Sequence, residues 1–151
     1  MRELVGRTVI GGDCRSEAIV SRRPFNTLAS FFPALIGNPD GAFCADRFNE
    51  DTFGRLLTGL ILCIPTAVGS TSGGAVWEHL ARLRLAPAAV LCAGQIDSIT
   101  AAGLAIAATW TDYPIVAVDE LGASLLDTFL TGEIIAVSAG ISARVQREDS
   151  R

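Results

Sequence analysis

The sequence predicts an α/β domain with a central parallel sheet, helices packed on that sheet and β-strands flanking it. Three observations predict this. Between Leu60 and Val118, apolar strand-like runs alternate with helix-like patterns, an order that gives parallel strands joined by right-handed crossovers. β-rich segments stand on either side of that core, so a β/β/α arrangement fits better than a plain doubly wound sheet. The chain has 151 residues, half of them hydrophobic, which is enough for one domain with a real core. Residues 1–147 are read as that single domain and 148–151 as a charged tail.

Leu4 to Ser21 alternates loosely and carries Gly11-Gly12; it reads as one or two strands with a turn. Pro24 to Asp51 is irregular, with three prolines. Phe25, Phe31, Phe32, Phe43, Phe48 and Phe53 crowd this region, and a long aromatic-rich segment is more often functional or interfacial than idle. "LTGLILCIP" reads as a central strand ended by Pro65. "GAVWEHLARLRL" then places Val76, Leu80 and Leu83 on one helical face. "PAAVLCA" is a second short buried strand. "SITAAGLAIAATW" starts at Ser98 as N-cap and is rich in Ala and Gly, so it packs closely as a helix. "PIVAV" is a third strand. "DELGASLLDTFL" is a helix with Leu121, Leu125 and Phe129 inward, stopped by Gly132. "EIIAVSA" and "ISARVQ" read as a closing pair of strands.

Composition excludes several functions. The formal charge is −4, every basic residue is Arg, and no basic cluster exceeds Arg22-Arg23; a nucleic-acid surface is not expected. The longest apolar stretch, Leu60–Pro65, is far too short to cross a bilayer, and surplus apolar surface points to a protein partner instead. No signal-peptide pattern opens the chain, so a cytoplasmic protein is expected. Cys14, Cys44, Cys63 and Cys92 form no C-x-x-C pair; they read as small buried hydrophobes, and no metal site is expected in this chain.

The informative stretch is "PTAVGSTSGGAVWEHL", Pro65 to Leu80. Gly69 to Gly74 falls where a parallel strand ends and a helix begins. Ligands bind outside the carboxyl ends of such strands, and the free N–H groups of a helix N-terminus favour an anion. Hydroxyls at Ser70, Thr71 and Ser72 add donors, and the glycines let backbone approach a carboxylate or phosphate. A solvent-facing turn fits the same residues. The loop is no P-loop, since it has no Lys. Nor is it a nucleophile elbow, because Thr71 holds the central position of G-S-T-S-G.

At these residues the chain resembles a family. "GRTVIGGDCRSEAIVSRRPFN", "LTGLILCIPTAVGSTSGGAVWEHL", "LAPAAVLCAGQIDSITAAGLAIAATWTDYPIVAV" and "LLDTFLTGEIIAVSAG" follow, in order, the pattern of the small swivelling subunit of the aconitase X family. That family includes bacterial cis-3-hydroxy-L-proline dehydratases and archaeal phosphomevalonate dehydratases. The resemblance implies a swivelling β/β/α domain docked on a large aconitase-like subunit that carries an iron or iron–sulfur centre, with no cofactor in this chain. It implies Ser70 as the proton-abstracting base over that centre. It also implies Gly69, Thr71, Ser72 and Gly73 as the loop around a small carboxylate substrate. Aconitase itself follows its serines with an Arg; Ser72-Gly73-Gly74 replaces it here, which argues against tricarboxylate substrates. "TLASFFPALIGNPDG" and "RFNEDTFGRL" depart from the family pattern.

The absence of Lys favours cis-3-hydroxy-L-proline as substrate over mevalonate 5-phosphate, the alternative within the family. Two further readings stand beside the hydro-lyase. A phosphohistidine carrier would need a histidine at the loop, and His79, the one histidine, comes about two turns too late. A non-catalytic interaction module of the same fold is the other.

Overall fold

In a computed structural model, which describes residues 2–37 and 39–148, the strands roll into a closed barrel. In chain order the elements are β1 (Glu3–Ile10), β2 (Gly12–Val20), β3 (Phe25–Asn26), α1 (Thr27–Leu35), β4 (Ile61–Ile64), β5 (Ala67–Val68), α2 (Gly73–Arg82), β6 (Ala89–Cys92), α3 (Ser98–Trp110), β7 (Val116–Asp119), α4 (Leu125–Thr128), β8 (Ile134–Ala139) and β9 (Ala143–Arg147). The predicted charged tail falls outside the described residues except for Glu148, which pairs with Arg15.

The expectation of a central parallel sheet is half met. β2, β4, β6 and β7 are parallel neighbours, as the alternating pattern requires. The sheet is nonetheless mixed, and closes through antiparallel strands in the order β1-β7-β6-β4-β2-β8-β9. The reason is that β1 and β2 each serve two partners. β1 pairs with β9 over Glu3–Gly6 and with β7 from Arg7 onward. β2 pairs with β8 over Gly12–Glu17 and with β4 over Ala18–Val20. Gly11-Gly12 therefore links strands on opposite sides of the barrel instead of closing a hairpin. Gly6 makes the crossing possible: a Cβ there would stand 2.6 Å from the Asp119 carbonyl oxygen.

The short parallel strands are buried on both faces, which is why they read as unbroken apolar runs. Ile61, Cys63, Ala89, Leu91, Val116 and Val118 fill the barrel. Leu62, Ile64, Val90, Cys92 and Ala117 meet the helices from outside. There Phe25, Phe31 and Trp77 stack edge to face, with ring centroids 5.6 and 5.5 Å apart.

Four local expectations change. A helix, α1, occupies part of the stretch read as irregular; Asn26 caps it by accepting from the Ala29 N–H, and Pro33 sits in its last turn. In α2, Val76 and Leu80 are buried but Leu83 lies past the helix end and is exposed; Trp77 and Ala81 complete the inner face. The N-cap of α3 is Asp97, not Ser98: its carboxylate accepts from the Thr100 N–H at 2.9 Å. The helix expected over Asp119–Leu130 shrinks to Leu125–Thr128, ending before Gly132. Leu121, Leu125 and Phe129 are still buried, and they pack into the barrel's core.

Candidate active site

The Gly/Ser loop leaves the carboxyl end of β4, in the middle of the parallel strands. Its first half is fixed by a two-strand ribbon in which β5 pairs with β3, Phe25 opposite Ala67 and Asn26 opposite Val68. Gly69 follows with a φ of +113°, and a Cβ there would meet Asn26 Oδ1 at 2.7 Å. Glycine is thus required at this position twice over. Ser70, Thr71 and Ser72 are exposed. The Ser72 N–H donates to Ser70 Oγ at 3.2 Å, and the Gly73 N–H to the Ser70 carbonyl at 2.9 Å. Ser72 is the N-cap of α2 and makes no side-chain capping bond; the Gly74 N–H reaches the Thr71 carbonyl at 3.5 Å.

Two glycines bring a second helix to the loop. A Cβ on Gly103 would lie 2.0 Å from the Gly74 carbonyl oxygen, and one on Gly74 would lie 2.8 Å from the Ile99 carbonyl oxygen. The α2 and α3 backbones therefore touch, which sets the first turn of α3 against Ser70–Gly73. The result is a cavity of about 220 Å³ lined by first-turn residues of three helices: Thr27 of α1, Gly73 of α2, and Thr100 of α3 with its cap Asp97. Gly69 and Ser70 complete its mouth. Convergent helix N-termini present partial positive charge to whatever enters, set against the Asp97 carboxylate on the same cavity.

Of the residues expected in the loop, Gly69, Ser70 and Gly73 line this cavity. Ser72 faces a separate cleft of about 390 Å³ between α1 and α2, and Thr71 lines neither. His79 also lines that cleft, among Leu28, Leu35 and Val76, and not the Ser70 cavity. Sequence reasoning missed Asp97, Thr100, Thr27 and Asn26. The available signal was Asp97 itself, a residue type as common at N-caps as the adjacent Ser98.

Behind the cavity sits an ion pair between the exposed Arg7 and the buried Asp119. Asp119 has no exposed surface and receives Arg7 Nε at 2.9 Å and Nη2 at 2.7 Å. Its Oδ2 also accepts the Ile96 N–H at 2.8 Å, next to Asp97. Burial alone would raise the Asp119 pKa; the bonds from Arg7 and Ile96 and the charge of Arg7 outweigh it and hold the carboxyl below its ordinary value. The Glu120 and Gly122 N–H groups bond Gly94 and Ala93 carbonyls, so the β7–α4 turn clamps the β6–α3 loop.

The cysteines behave as packing residues. All four are free; Cys44, Cys63 and Cys92 are buried. Burial pushes the Cys92 thiol up to about 12 and the Cys14 thiol up to about 11. Among the described residues, no three His, Cys, Asp or Glu side chains come together as a metal site. No helix among them is long and apolar enough to cross a membrane.

A family model described as the aconitase X swivel domain matches residues 3–146. The chain belongs to the aconitase X swivel domain family. The small subunit of phosphomevalonate dehydratase from Thermococcus kodakarensis is 31% identical to this swivel domain over 139 residues, 92% of this chain and 94% of that one. The small subunit named likewise from Thermococcus gammatolerans is 33% identical over 105 residues, 70% of this chain and 74% of that one. The crystal structure of Thermococcus kodakaraensis aconitase X in its holo form superposes with a TM-score of 0.78 at 27% identity, covering 97% of this chain and all of that one. The swivel domain described here is accordingly the small subunit of an aconitase X-type hydro-lyase.

Proposed function

We propose that this swivel domain works with a large aconitase-like subunit to dehydrate mevalonate 5-phosphate, and that Ser70 takes the proton from the carbon beside the substrate carboxylate. The observation that carries this reading is the position of Ser70: just before the N-terminus of α2, on a cavity lined by first-turn residues of three helices, in a chain whose relatives are named for that substrate. The hydroxyproline expectation rested on the absence of Lys, and the names of the relatives favour the phosphate substrate instead. Helix N-terminal N–H groups hold phosphate or carboxylate without any Lys.

The chain's own residues supply three things. Ser70 Oγ meets the proton to be removed. The Ser72 N–H, already on Ser70 Oγ, stabilises negative charge building there, as backbone donors do in an oxyanion hole. The first turns of α1, α2 and α3 favour an anionic group of the substrate within reach of that oxygen. The donor sets of the described residues do not fit an iron centre; it is assigned to the large subunit, and no step of this chain runs through it.

The test is reconstitution with the large subunit and an assay of mevalonate 5-phosphate dehydration by the wild type and Ser70→Ala. Ser70→Ala is expected to lose roughly 10²–10⁴-fold in kcat while still binding the large subunit. Near-normal turnover by Ser70→Ala would show that the loop is only a turn. Dehydration of cis-3-hydroxy-L-proline in place of mevalonate 5-phosphate would restore the other substrate.

A further inference from the structure

A serine hydroxyl is a weak base, so its own proton needs somewhere to go. In the Ser70 cavity one group is built to take it. Asp97 lines the same cavity as Ser70. Its two carboxylate oxygens are used unequally. Oδ2 caps α3 through the Thr100 N–H. Oδ1 is shielded from solvent and has no hydrogen-bond partner among the described residues. A buried carboxylate oxygen left without a donor is costly and calls for a specific reason. Ser70, for its part, uses Oγ to accept from the Ser72 N–H, which leaves its hydroxyl proton to be donated.

The loop carrying Asp97 is also held more firmly than a helix cap requires. Asp119, itself fixed by two bonds from Arg7, accepts the Ile96 N–H one residue earlier. The backbone contacts of Gly74 with Ile99 and Gly103 set the distance between the Ser70 loop and the Asp97 turn.

We propose that Asp97 is the proton-accepting partner of Ser70, an inference that rests on Ser70 being the base. As the substrate C–H bond breaks, its proton bonds to Ser70 Oγ. The Ser70 O–H bond breaks in the same step, and that proton passes to Asp97 Oδ1 once the exposed Ser70 side chain has turned toward it. The C–H electron pair becomes the new C=C bond as hydroxide leaves the neighbouring carbon. Asp97 then returns its proton, which with the hydroxide makes the water of dehydration. Ser70 is regenerated unchanged, and no further reactant is needed. Asp97 acts through Ser70 and is a positioning residue toward the substrate.

The experiment compares Asp97→Asn, Asp97→Ser, Ser70→Ala and Ser70→Ala/Asp97→Asn in the complex with the large subunit. The substrate is whichever of mevalonate 5-phosphate and cis-3-hydroxy-L-proline the wild type dehydrates. Asn and Ser cap a helix as well as Asp, so both single variants at 97 keep the fold and the α3 N-terminus, and each checks the other. Asp97→Asn should lose roughly 10²–10⁴-fold in kcat, with KM within about twofold and an unchanged melting temperature. The double variant should be no worse than Ser70→Ala alone, because partners acting as a unit are not additive. An Asp97→Asn enzyme within about threefold of wild type overturns the proposal. So does a raised KM at unchanged kcat, which would assign Asp97 to substrate binding, or a double variant whose losses multiply. Near-normal turnover by Ser70→Ala sinks the serine reading and the relay together. An inactive Ser70→Ala beside an active Asp97→Asn sinks the relay alone.

Discussion

The contact between α2 and α3 offers the sharpest test of how this site is assembled. Gly103→Ala places a methyl 2.0 Å from the Gly74 carbonyl oxygen and 2.7 Å from its carbon. Ordinary contact for a Cβ begins near 3.4 Å, so the two helices must part by about 1.4 Å. The neighbour is backbone and cannot rotate away. Two opposing effects follow. Alanine in place of glycine favours the helix by about 1 kcal/mol, while overpacking of this kind costs typically about 1–3 kcal/mol. A net loss of about 0–2 kcal/mol lowers Tm by several degrees at most for a chain of this size. Activity should suffer far more than stability. Ser70 and Gly73 at the start of α2 and Asp97 and Thr100 at the start of α3 line one cavity, and a displacement of about 1 Å can cost roughly 10²-fold in rate. The assay pairs thermal unfolding of the chain with kcat of the reconstituted complex. Gly140→Ala serves as control, since a Cβ there meets nothing within 4 Å. A Gly103→Ala variant with raised Tm and wild-type kcat would refute both the close approach and its role in placing the serine.

Further expectations concern the loop, the ion pair, the thiols and the aromatic surface. Ser72→Ala keeps the N–H on Ser70 Oγ and removes a side chain that caps nothing; kcat should stay within a few fold, and a loss as deep as that of Ser70→Ala would move the base to Ser72. Because the Asp119 pKa is depressed in the fold, its stabilisation is present above the ordinary carboxylate pKa of about 3.9 and is lost as pH falls below it. The wild type should therefore exceed Asp119→Asn in urea midpoint at pH 7, with the gap closing toward pH 3; a constant gap would contradict the assignment. Cys14, pushed up to about 11, and the buried Cys63 and Cys92 should react with a thiol reagent at pH 8 far more slowly in the native chain than in denaturant, checked by absorbance of the released chromophore. Phe43, Phe48 and Phe53 are exposed, and amide exchange over residues 41–57 should slow when the large subunit is added; unchanged exchange would place the interface elsewhere.

How much of this was legible in the sequence follows from which signals are local. The parallel strands showed themselves because strands buried on both faces read as apolar runs, and Ile61–Ile64, Ala89–Cys92 and the first three residues of Val116–Asp119 satisfy that. Ser70 and its glycines were visible as a strand-to-helix junction. Barrel closure was not visible, because nothing local tells a strand that its two halves will pair with different neighbours, as β1 and β2 do. α1 was hidden by Pro33 and by a short span that a periodicity count does not reach. The aromatic segment was read as one surface but divides: Phe25 and Phe31 are core, while Phe32, Phe43, Phe48 and Phe53 face outward. Asp97 was overlooked because capping statistics rank Asp and Ser alike, and only the fold shows which oxygen bonds the Thr100 N–H.

The exposure pattern around Ser70 bears on why the chain needs a partner for chemistry. Ser70, Thr71 and Ser72 are all open to solvent, and so is Val68 just before them. Proton abstraction beside a carboxylate gains from excluded water, which would otherwise screen the N–H groups that stabilise the developing charge. Among the described residues the cavity is walled by three helix ends and by Ala67–Ser70, and Ser70 at its edge is exposed. Its polar half is rigid: Gly69, Gly74 and Gly103 leave no room for adjustment, and Asp119 pins the turn at Ile96. Large hydrophobic side chains stand exposed on α1 and on the segment after it, at Phe32, Ile36, Phe43 and Leu56. A preorganised half-site beside uncovered apolar surface is what a subunit needs if docking is to cover the exposed serine. The chain by itself should therefore fold, bind and remain inert. Measurable turnover by the purified chain without its large subunit would overturn that account of the site.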